Sequence, residues 1–289
     1  MVNPKLLAPL EVEFVDFLTE KRGESRTQVK ARYLLARNGF KTWTRGFKDY
    51  HLGILKMNGV LWGFDRENDL ASHYRQLEGY HALRFVSYCH NKEYMQYVKT
   101  FPNKVITALG KYPENILDYG CGMALMSTEL AKEVKARGSS PTVWLCDFPG
   151  VSRDFAVWRL SREGIQVVVA SPNENILSVK NFYDVCFVWS VFEHLLDPEK
   201  VADNICKAIN PGGILVSYLG AWKPEPLHVN FKQEAIKKII ASQFKDLGGW
   251  IYKKDGGKKE YGINESFNNP TTARGQGNFL ETEGSILYG

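Results

Sequence analysis

Residues 115–132 read NILDYGCGMALMSTELAK, and this stretch decides the fold. A short apolar strand ends at Asp118, glycines follow at Gly120 and Gly122, and a helix-forming run begins at Leu125. Glycines at a strand-to-helix turn let the backbone approach a ligand closely, because they carry no Cβ. The first helical N–H groups then point at that ligand. The stretch therefore predicts the first βα turn of a nucleotide-binding α/β sheet.

The side chains around this turn indicate which kind of nucleotide it binds. A dinucleotide fingerprint needs a third glycine three residues after Gly122, and that position is Leu125. The carboxylate of Asp118 would repel a pyrophosphate, because both groups are anionic. The same carboxylate suits a ligand with a cationic amino-acid end. S-adenosylmethionine fits, since it carries an ammonium and a sulfonium and no phosphate.

The segment DYGCG at residues 118–122 resembles the D-x-G-x-G signature of class I S-adenosylmethionine-dependent methyltransferases, and the resemblance extends over roughly residues 100–250. It implies an α/β, Rossmann-like class I methyltransferase fold, with a mostly parallel seven-stranded sheet flanked by helices. It also implies S-adenosyl-L-methionine as the cofactor and methyl transfer as the reaction.

Hydrophobic patterning predicts alternating strands and helices along the chain. The predicted strands are 115–118, 142–147, 165–170, 183–189, 213–219, one inside 245–253, and an edge strand at 285–288. The predicted helices are Glu11–Thr19, Arg26–Asn38, 69–99, 123–137, 152–163, 198–209 and 230–243. Pro102 is expected to end the third helix, and Pro211-Gly212-Gly213 to form a turn. We therefore expect a helical, basic, aromatic-rich N-terminal extension or cap over residues 1–105 and a cofactor-binding methyltransferase domain over 106–289.

Ligands of such a sheet bind at the carboxyl ends of its strands, so the first two strand ends supply candidate cofactor residues. These candidates are Asp118, Gly120, Cys121, Gly122, Asp147 and Phe148. Asp147 lies 27 residues after Gly120, and the resemblance implies that it accepts the ribose hydroxyls. The alternative is a turn or helix-capping acid. Phe148 is expected to cover one face of the adenine.

The third and fourth strand ends add further cofactor candidates. By resemblance, Asn173 reaches the adenine edge, and an ordinary solvated loop is the alternative. Trp189 and Ser190 end the fourth strand over the ligand. Ubiquinone-pathway O-methyltransferases carry E-x-x-E-H here and can hold a divalent metal, whereas this chain has Ser190 in place of the first acid. Glu193 and His194 supply too few ligands for a metal site, so no metal is expected.

Two histidines are candidate catalytic residues. The unperturbed pKa of a histidine is about 6.5, so a neutral form is available at pH 7 and His194 could act as a general base. A structural role is equally open, because proximity and alignment suffice for many methyl transfers. His228 lies in a Pro-rich loop, where a pocket role and a surface position are both open. Candidate acceptor-binding residues are Tyr74, Tyr80, His81 and Trp222, with ordinary core packing as the alternative for the helical ones.

Charge and cysteine content bound the partners and the location. The net charge of +5 is uneven, with +6 in residues 1–110 (17 Lys and Arg against 11 Asp and Glu) and −1 in the remainder. For the basic part, a site for an anionic partner and a solvated helical surface are both open. The five cysteines show no C-x-x-C spacing, which favours a reducing compartment, and we expect a cytoplasmic location. No signal peptide or membrane span is expected. A homodimer is compatible with the sequence, which leaves the oligomeric state open.

Several acceptor classes are disfavoured by missing motifs. The fourth strand lacks the N/D-P-P-Y segment of enzymes that methylate amino groups of nucleic acids, and no Pro-Cys pair serves attack on cytosine. No nucleic-acid-binding module is recognisable, so nucleic acid is not an expected partner. The sequence predicts methyl transfer to oxygen or nitrogen of a small molecule or saccharide in a biosynthetic pathway. Other chemistry on the same cofactor, such as intramolecular cyclisation, and an RNA-binding methyltransferase-like protein remain as alternatives.

Overall fold

The computed structural model describes residues 7–34, 92–170, 172, 176–219 and 232–256. Six predicted site residues lie outside these ranges, and their roles stay predictions: Tyr74, Tyr80, His81, Asn173, Trp222 and His228. The predicted edge strand at 285–288 and most of the predicted helix at 69–99 also lie outside the described residues.

The strands are β1 Asn115–Tyr119, β2 Thr142–Cys146, β3 Gln166–Ala170, β4 Tyr183–Trp189, β5 Ile209–Tyr218, β6 Phe244–Asp246 and β7 Ile251–Lys254. Within the described residues these seven strands form one sheet, in the order β3-β2-β1-β4-β5-β7-β6. The first five strands pair in parallel, and β7 runs antiparallel to both of its neighbours. The predicted Rossmann-like fold with a mostly parallel seven-stranded sheet is therefore confirmed.

The helices are α1 Pro9–Arg22, α2 at 26–34, α3 Lys92–Leu109, α4 Leu125–Ala136, α5 Val151–Arg162, α6 Pro198–Ala208 and α7 Gln233–Ala241. Two buried clusters cover the two faces of the sheet. One contains residues of α3, α4 and α5, and the other contains residues of α6 and α7. Because β4 is buried on both faces, its sequence YDVCFVW is almost continuously apolar.

Pro102 does not end a helix, contrary to the prediction from sequence. It lies inside α3, where it removes one backbone hydrogen bond. The packing of this helix offsets that cost, since Val98, Phe101 and Val105 are each no more than 1% exposed in the cluster against the sheet. The helix also runs through residue 105, where the N-terminal extension was predicted to end. That division of the chain stays a prediction.

Two further predictions about strands were wrong in detail. The segment Pro211-Gly212-Gly213 lies within β5, because the strand begins at Ile209 opposite Tyr183 and shifts register before its next pairs with β4. The C-terminal region contains two strands where one was predicted. Gly248 and Gly249 both have positive φ, of 79° and 62°, which permits the tight connection between β6 and β7. Among the helices of the described segments, none has the length and apolar content that a membrane span requires.

Candidate functional site

The turn between β1 and α4 carries three residues in the left-handed backbone region. Gly120 has φ of 71°, Gly122 of 48° and Ala124 of 49°. Glycine adopts this conformation freely, whereas for alanine it costs about 1–2 kcal/mol. Ala124 is also buried, with 1% of its surface exposed. Backbone strain of this kind persists only where surrounding contacts hold it, and it is common at functional sites.

Contacts from the neighbouring strand hold the turn. The carbonyl of Cys146, at the end of β2, accepts the N–H groups of Gly120 at 2.7 Å and Cys121 at 3.2 Å. The N–H of Gly122 donates to Oδ2 of Asp147 at 2.7 Å. The β2 end therefore fixes three successive amides of the turn, and Asp147 is one of the residues that does so.

The segment after β4 packs against the other side of the turn. A Cβ on Gly120 would lie 2.4 Å from Cγ2 of Val191, which is too close for any side chain. Glycine is therefore required at position 120 for space as well as for its positive φ. The close packing brings the end of β4 next to the turn, as expected for adjacent parallel strands.

Asp118 lies near the carboxyl end of β1 with 6% of its surface exposed. Oγ of Ser127, in the first turn of α4, donates to its Oδ2 at 2.5 Å. Burial raises the pKa of Asp118 to about 7, the charge of Asp147 adds to this rise, and the Ser127 hydrogen bond opposes it. A bound cation would stabilise the charged form of this carboxyl, so the site suits a cationic ligand group.

Asp147 follows β2 and is half-buried. Its Oδ1 accepts the N–H of Phe148 at 2.7 Å, and its carbonyl accepts Nη1 of Arg153 at 2.9 Å. Burial raises the pKa of Asp147, while the N–H groups of Gly122 and Phe148 and the charge of Arg153 act in the opposite direction. A carboxylate oxygen has two lone pairs, so both oxygens retain capacity for ligand hydroxyls. Phe148 is half-buried beside it.

The end of β4 contains the predicted residues Ser190 and His194. Ser190 has φ of 53°, a further non-glycine residue in the left-handed region. His194 closes the short 3-10 helix Phe192–His194, is half-buried, and donates its backbone N–H to the carbonyl of Val191 at 2.9 Å. His194 therefore follows Val191, which packs on Gly120, by three residues, and both predicted roles of its imidazole stay open.

Cys121 is buried and belongs to the same core cluster as residues of α4. Burial raises the pKa of its thiol well above the ordinary value, and the charges of Asp147 and Asp118 act in the same direction. The neutral thiol is a poor nucleophile. Its backbone N–H, which faces Cys146, is therefore the chemically relevant part of this residue in the turn.

Trp189 belongs to an aromatic cluster made of Tyr97, Trp189, Tyr218 and Trp250. Its ring centroid lies 6.0 Å from Tyr97, 5.5 Å from Tyr218 and 5.2 Å from Trp250. Trp250 is 38% exposed and has φ of 65°. The hydroxyl of Tyr97 donates to the carbonyl of Gly249 at 2.8 Å, which holds the β6–β7 connection against α3. The aromatic cluster thus lies at the carboxyl ends of β4 and β5.

Sequence reasoning did not identify several residues that shape this site. The sequence around Ser127 does not indicate its hydrogen bond to Asp118, because a serine in a helix usually has no partner outside that helix. The contact of Val191 with Gly120 is visible only in the structure, where the valine side chain occupies the space that a Cβ at position 120 would need. Tyr97 and Trp250 come together from segments far apart in the chain. Among the described residues, no group of three or more His, Cys, Asp or Glu side chains could hold a metal ion.

The sequence profile of a family described as a methyltransferase domain matches residues 90–238, just over half of the chain. The chain belongs to this methyltransferase domain family. The matched region contains the glycine turn, both aspartates and the β4 end of this methyltransferase. The superfamily predicted from the D-x-G-x-G motif is confirmed.

Solved structures similar to this methyltransferase include three with different degrees of coverage. An O-methyltransferase family protein from Burkholderia thailandensis is 12% identical with a TM-score of 0.41, over 72% of this chain and 71% of that chain. A SAM-dependent methyltransferase from Aquifex aeolicus is 21% identical with a TM-score of 0.39, over 55% and 90%. The (4+2)-cyclase SpnF is 17% identical with a TM-score of 0.39, over 52% and 58%. No curated protein sequence matches the chain significantly.

Proposed function

We propose that this enzyme binds S-adenosylmethionine between the glycine turn and the end of β2. It then transfers the methyl group to oxygen or nitrogen of a small molecule or saccharide in a biosynthetic pathway. The observation that carries the proposal is the pair of carboxyl groups, Asp118 and Asp147, on either side of the turn. Two carboxylates repel a phosphate-bearing nucleotide and attract a ligand with a cation and free hydroxyls.

Each part of the cofactor has a candidate partner. The ammonium of its methionine end faces Asp118, whose buried carboxylate has the most to gain from a cation. The positive φ of Gly120 shapes the turn around Val191, and the missing Cβ of Gly122 allows the ligand to approach the backbone. Asp147 accepts the ribose hydroxyls, and Phe148 covers the adenine. Asn173, outside the described residues, is the candidate for the adenine edge.

The aromatic cluster is the candidate wall of the acceptor pocket. Trp189 precedes Val191 by two residues, and Val191 packs on Gly120, so Trp189 and the turn lie at the carboxyl ends of the adjacent strands β4 and β1. Its flat apolar surface suits the face of an aromatic ring or the C–H face of a sugar. Such a wall would exclude water and align the acceptor with the methyl group. His194 is the nearby candidate base.

Calorimetric titration of S-adenosylmethionine tests the cofactor site. We expect Asp118→Ala and Asp147→Ala each to weaken binding by about 1.5–3 kcal/mol, roughly ten- to a hundredfold. Asp203→Ala is the matched control, because that aspartate lies on α6 and pairs with Lys207 at the surface. Unchanged affinity in both test variants would reject the assignment.

Product analysis tests the chemistry. The enzyme is incubated with S-adenosylmethionine and a panel of phenols, amines and sugars, and products are followed by mass spectrometry. S-adenosylhomocysteine with a methylated acceptor supports the proposal. Methylthioadenosine with a cyclised product would replace it with the alternative chemistry. A parallel assay with EDTA should keep full activity, and a loss that magnesium restores would contradict the expectation of no metal.

The acceptor wall is tested with Trp250→Ala. We expect the acceptor KM to rise about tenfold, as for truncation of a ring at a binding surface, while the affinity for S-adenosylmethionine stays unchanged. Trp144→Phe is the control, because Trp144 packs against Phe182 and Tyr183 in the other core cluster. An unchanged acceptor KM in Trp250→Ala would place the acceptor elsewhere.

A further inference from the structure

The N-terminal helices lie outside the region that the family profile matches, yet they share a buried cluster with the glycine turn. From α1 and α2 this cluster contains Leu10, Phe14, Val15, Phe17, Val29 and Tyr33. From the matched domain it contains Met123, Leu125 and Phe155. Met123 and Leu125 are the residues on either side of Ala124, so the cluster reaches the strained part of the turn.

The packing between α1 and the domain is dense and directional. The ring of Phe14 lies 5.1 Å from that of Phe155, and the ring of Phe17 lies 5.4 Å from it. Phe14 and Phe155 are 3% and 0% exposed, and Met123 is 1% exposed. Aromatic pairs at these distances add to the stabilisation that burial provides. Movement of α1 would therefore disturb the surroundings of the turn.

An ion pair joins α1 to an arginine of α5, and the same arginine also contacts α4, the helix that follows the turn. Arg159 of α5 is 7% exposed, and its Nε donates to Glu13 of α1 at 2.6 Å. Its Nη2 donates to Glu129 of α4 at 3.2 Å. At the other end of α1, Nε1 of Trp158 donates to Glu20 at 2.7 Å. The helix is thus tied to α5 directly and to α4 through Arg159.

Ala124 has a strained, left-handed backbone conformation that surrounding contacts must stabilise. Three sets of such contacts surround the turn. The β2 end binds its amides, Val191 packs on Gly120, and the α1 cluster buries Met123 and Leu125. The first two sets contact residues 120–122, whereas the α1 cluster contains the residues on either side of Ala124. The structure therefore assigns α1 a function in the cofactor site, although it contributes no ligand to it.

We propose that α1 is a brace that holds the glycine turn in its ligand-binding conformation, with Phe14 as its central positioning residue. The proposal rests on the proposed function, because it assumes that the turn binds the cofactor. Since the brace lies outside the matched family domain, the N-terminal segment becomes a determinant of cofactor affinity in this chain.

The test compares two buried phenylalanines in the 289-residue chain. Phe14→Ala removes the brace contact, and Phe244→Ala removes a ring from the cluster on the opposite face of the sheet. We expect Phe14→Ala to weaken S-adenosylmethionine binding about three- to thirtyfold and Phe244→Ala to change it less than about twofold. Hydrogen exchange should accelerate at residues 119–125 in Phe14→Ala, relative to the β4 peptide, and not in Phe244→Ala.

Two milder variants keep the test decisive if Phe14→Ala fails to fold. Phe14→Leu retains most of the buried volume and should restore affinity and exchange protection. Glu13→Gln removes the charge opposite Arg159 without opening a cavity and should weaken binding about twofold or more. Unchanged affinity and exchange in Glu13→Gln, or equal effects of the two alanine variants, would overturn the brace.

The proposed function fails separately from the brace. If Asp118→Ala and Asp147→Ala leave cofactor affinity unchanged, the cofactor site lies elsewhere, and the brace falls with it. If those variants lose affinity while Phe14→Ala and Glu13→Gln behave like Phe244→Ala, the cofactor site stands and only the brace is rejected.

Discussion

Two buried aspartates on neighbouring parallel strands have opposite properties. Asp118 lies near the carboxyl end of β1, and Asp184 is the second residue of β4. They are 6% and 2% exposed, so burial penalises the charge of both. The pKa of Asp118 is nevertheless raised to about 7, while that of Asp184 is lowered below its usual range.

The partners of Asp184 explain its low pKa. Burial would raise it, but the ammonium of Lys111 lies 2.7 Å from Oδ1, and the N–H groups of Glu114 and Asn115 lie 2.8 and 3.1 Å from Oδ2. The amide of Asn210 adds a fourth contact at 3.1 Å. The protein itself thus satisfies this carboxylate, which joins the amino ends of β1, β4 and β5.

Asp118 receives far less from the protein. Within the described residues its hydrogen bond comes from the neutral hydroxyl of Ser127, and the nearby charge is that of Asp147, which repels it. The two aspartates therefore differ in the counter-charge that the protein provides: Lys111 lies beside Asp184, whereas the donor to Asp118 is a neutral hydroxyl. Asp184 is structural because protein donors surround it, whereas Asp118 lies near the carboxyl end of β1, where the proposed function supplies the counter-charge from the ligand.

The largest effect on stability should follow from removing the carboxylate of Asp184, which the protein holds through four contacts. Asp184→Ala leaves two partly buried N–H groups and the ammonium of Lys111 without their acceptor, so we expect a loss of about 3–5 kcal/mol in the free energy of unfolding. Urea titration measures this loss. S-adenosylmethionine affinity of the folded protein should stay within about twofold of wild type. Wild-type stability in the variant would show that the contrast between the two sites is wrong.

Asp118→Asn should weaken cofactor binding without destabilising the fold, which is the reverse of the effects expected for Asp184→Ala. Losing the negative charge opposite the ligand cation should weaken S-adenosylmethionine binding by about 1.5–3 kcal/mol. At pH 8 the free variant should be more stable than wild type, by up to roughly 3 kcal/mol, because it removes a buried charge. Calorimetry and thermal melts at pH 5 and pH 8 measure both effects. A variant that loses stability at pH 8 would make Asp118 a structural residue like Asp184.

The pH dependence should separate the two sites in the wild-type chain. The folded pKa of Asp118 lies above its ordinary value of 3.8, so its contribution to stability is complete below about pH 4 and is lost as pH rises through about 7. Asp184 contributes stability above pH 3.8 and loses it at lower pH.

Cofactor affinity should follow the ionised form of Asp118. Between pH 5 and about 7 we expect it to rise by up to about tenfold per pH unit, and then to level off. Titrations across this range measure the profile, with Asp118→Asn as a control that should flatten it. A flat wild-type profile would contradict a role for this carboxylate in binding the cation.

The smallest effect should follow from removing the hydroxyl of Ser127, which donates a hydrogen bond to the carboxylate of Asp118. Ser127→Ala removes a hydrogen bond that lowers the pKa of Asp118, so the midpoint of the affinity profile should move to higher pH. The loss of stability should be about 1 kcal/mol at pH 8. Titration across pH 6–9 measures the shift, and Ser161→Ala, on the surface end of α5, is a control that should leave the midpoint unchanged.

Much of the fold could be predicted because its signals are local. Apolar runs predicted the first five strands to within a few residues at most boundaries, and the DYGCG segment predicted the turn between β1 and α4. The errors arose where distant contacts override local preference. Pro102 remains helical because its neighbours are buried against the sheet, and β5 starts early because Tyr183 pairs with Ile209.

The sequence by itself determined the strand, the glycine turn, the helix and the family, since glycine freedom and hydrophobic periodicity depend only on neighbouring residues. It marked Asp118 through the DYGCG segment, but it could not show which protein groups surround Asp118 or Asp184. Only the tertiary structure decided which one is satisfied, since Lys111 and Ser127 reach them through the packing of separate elements. The physical reason is that a carboxyl pKa depends on burial and on the charges and donors within a few ångströms, and folding alone brings these together.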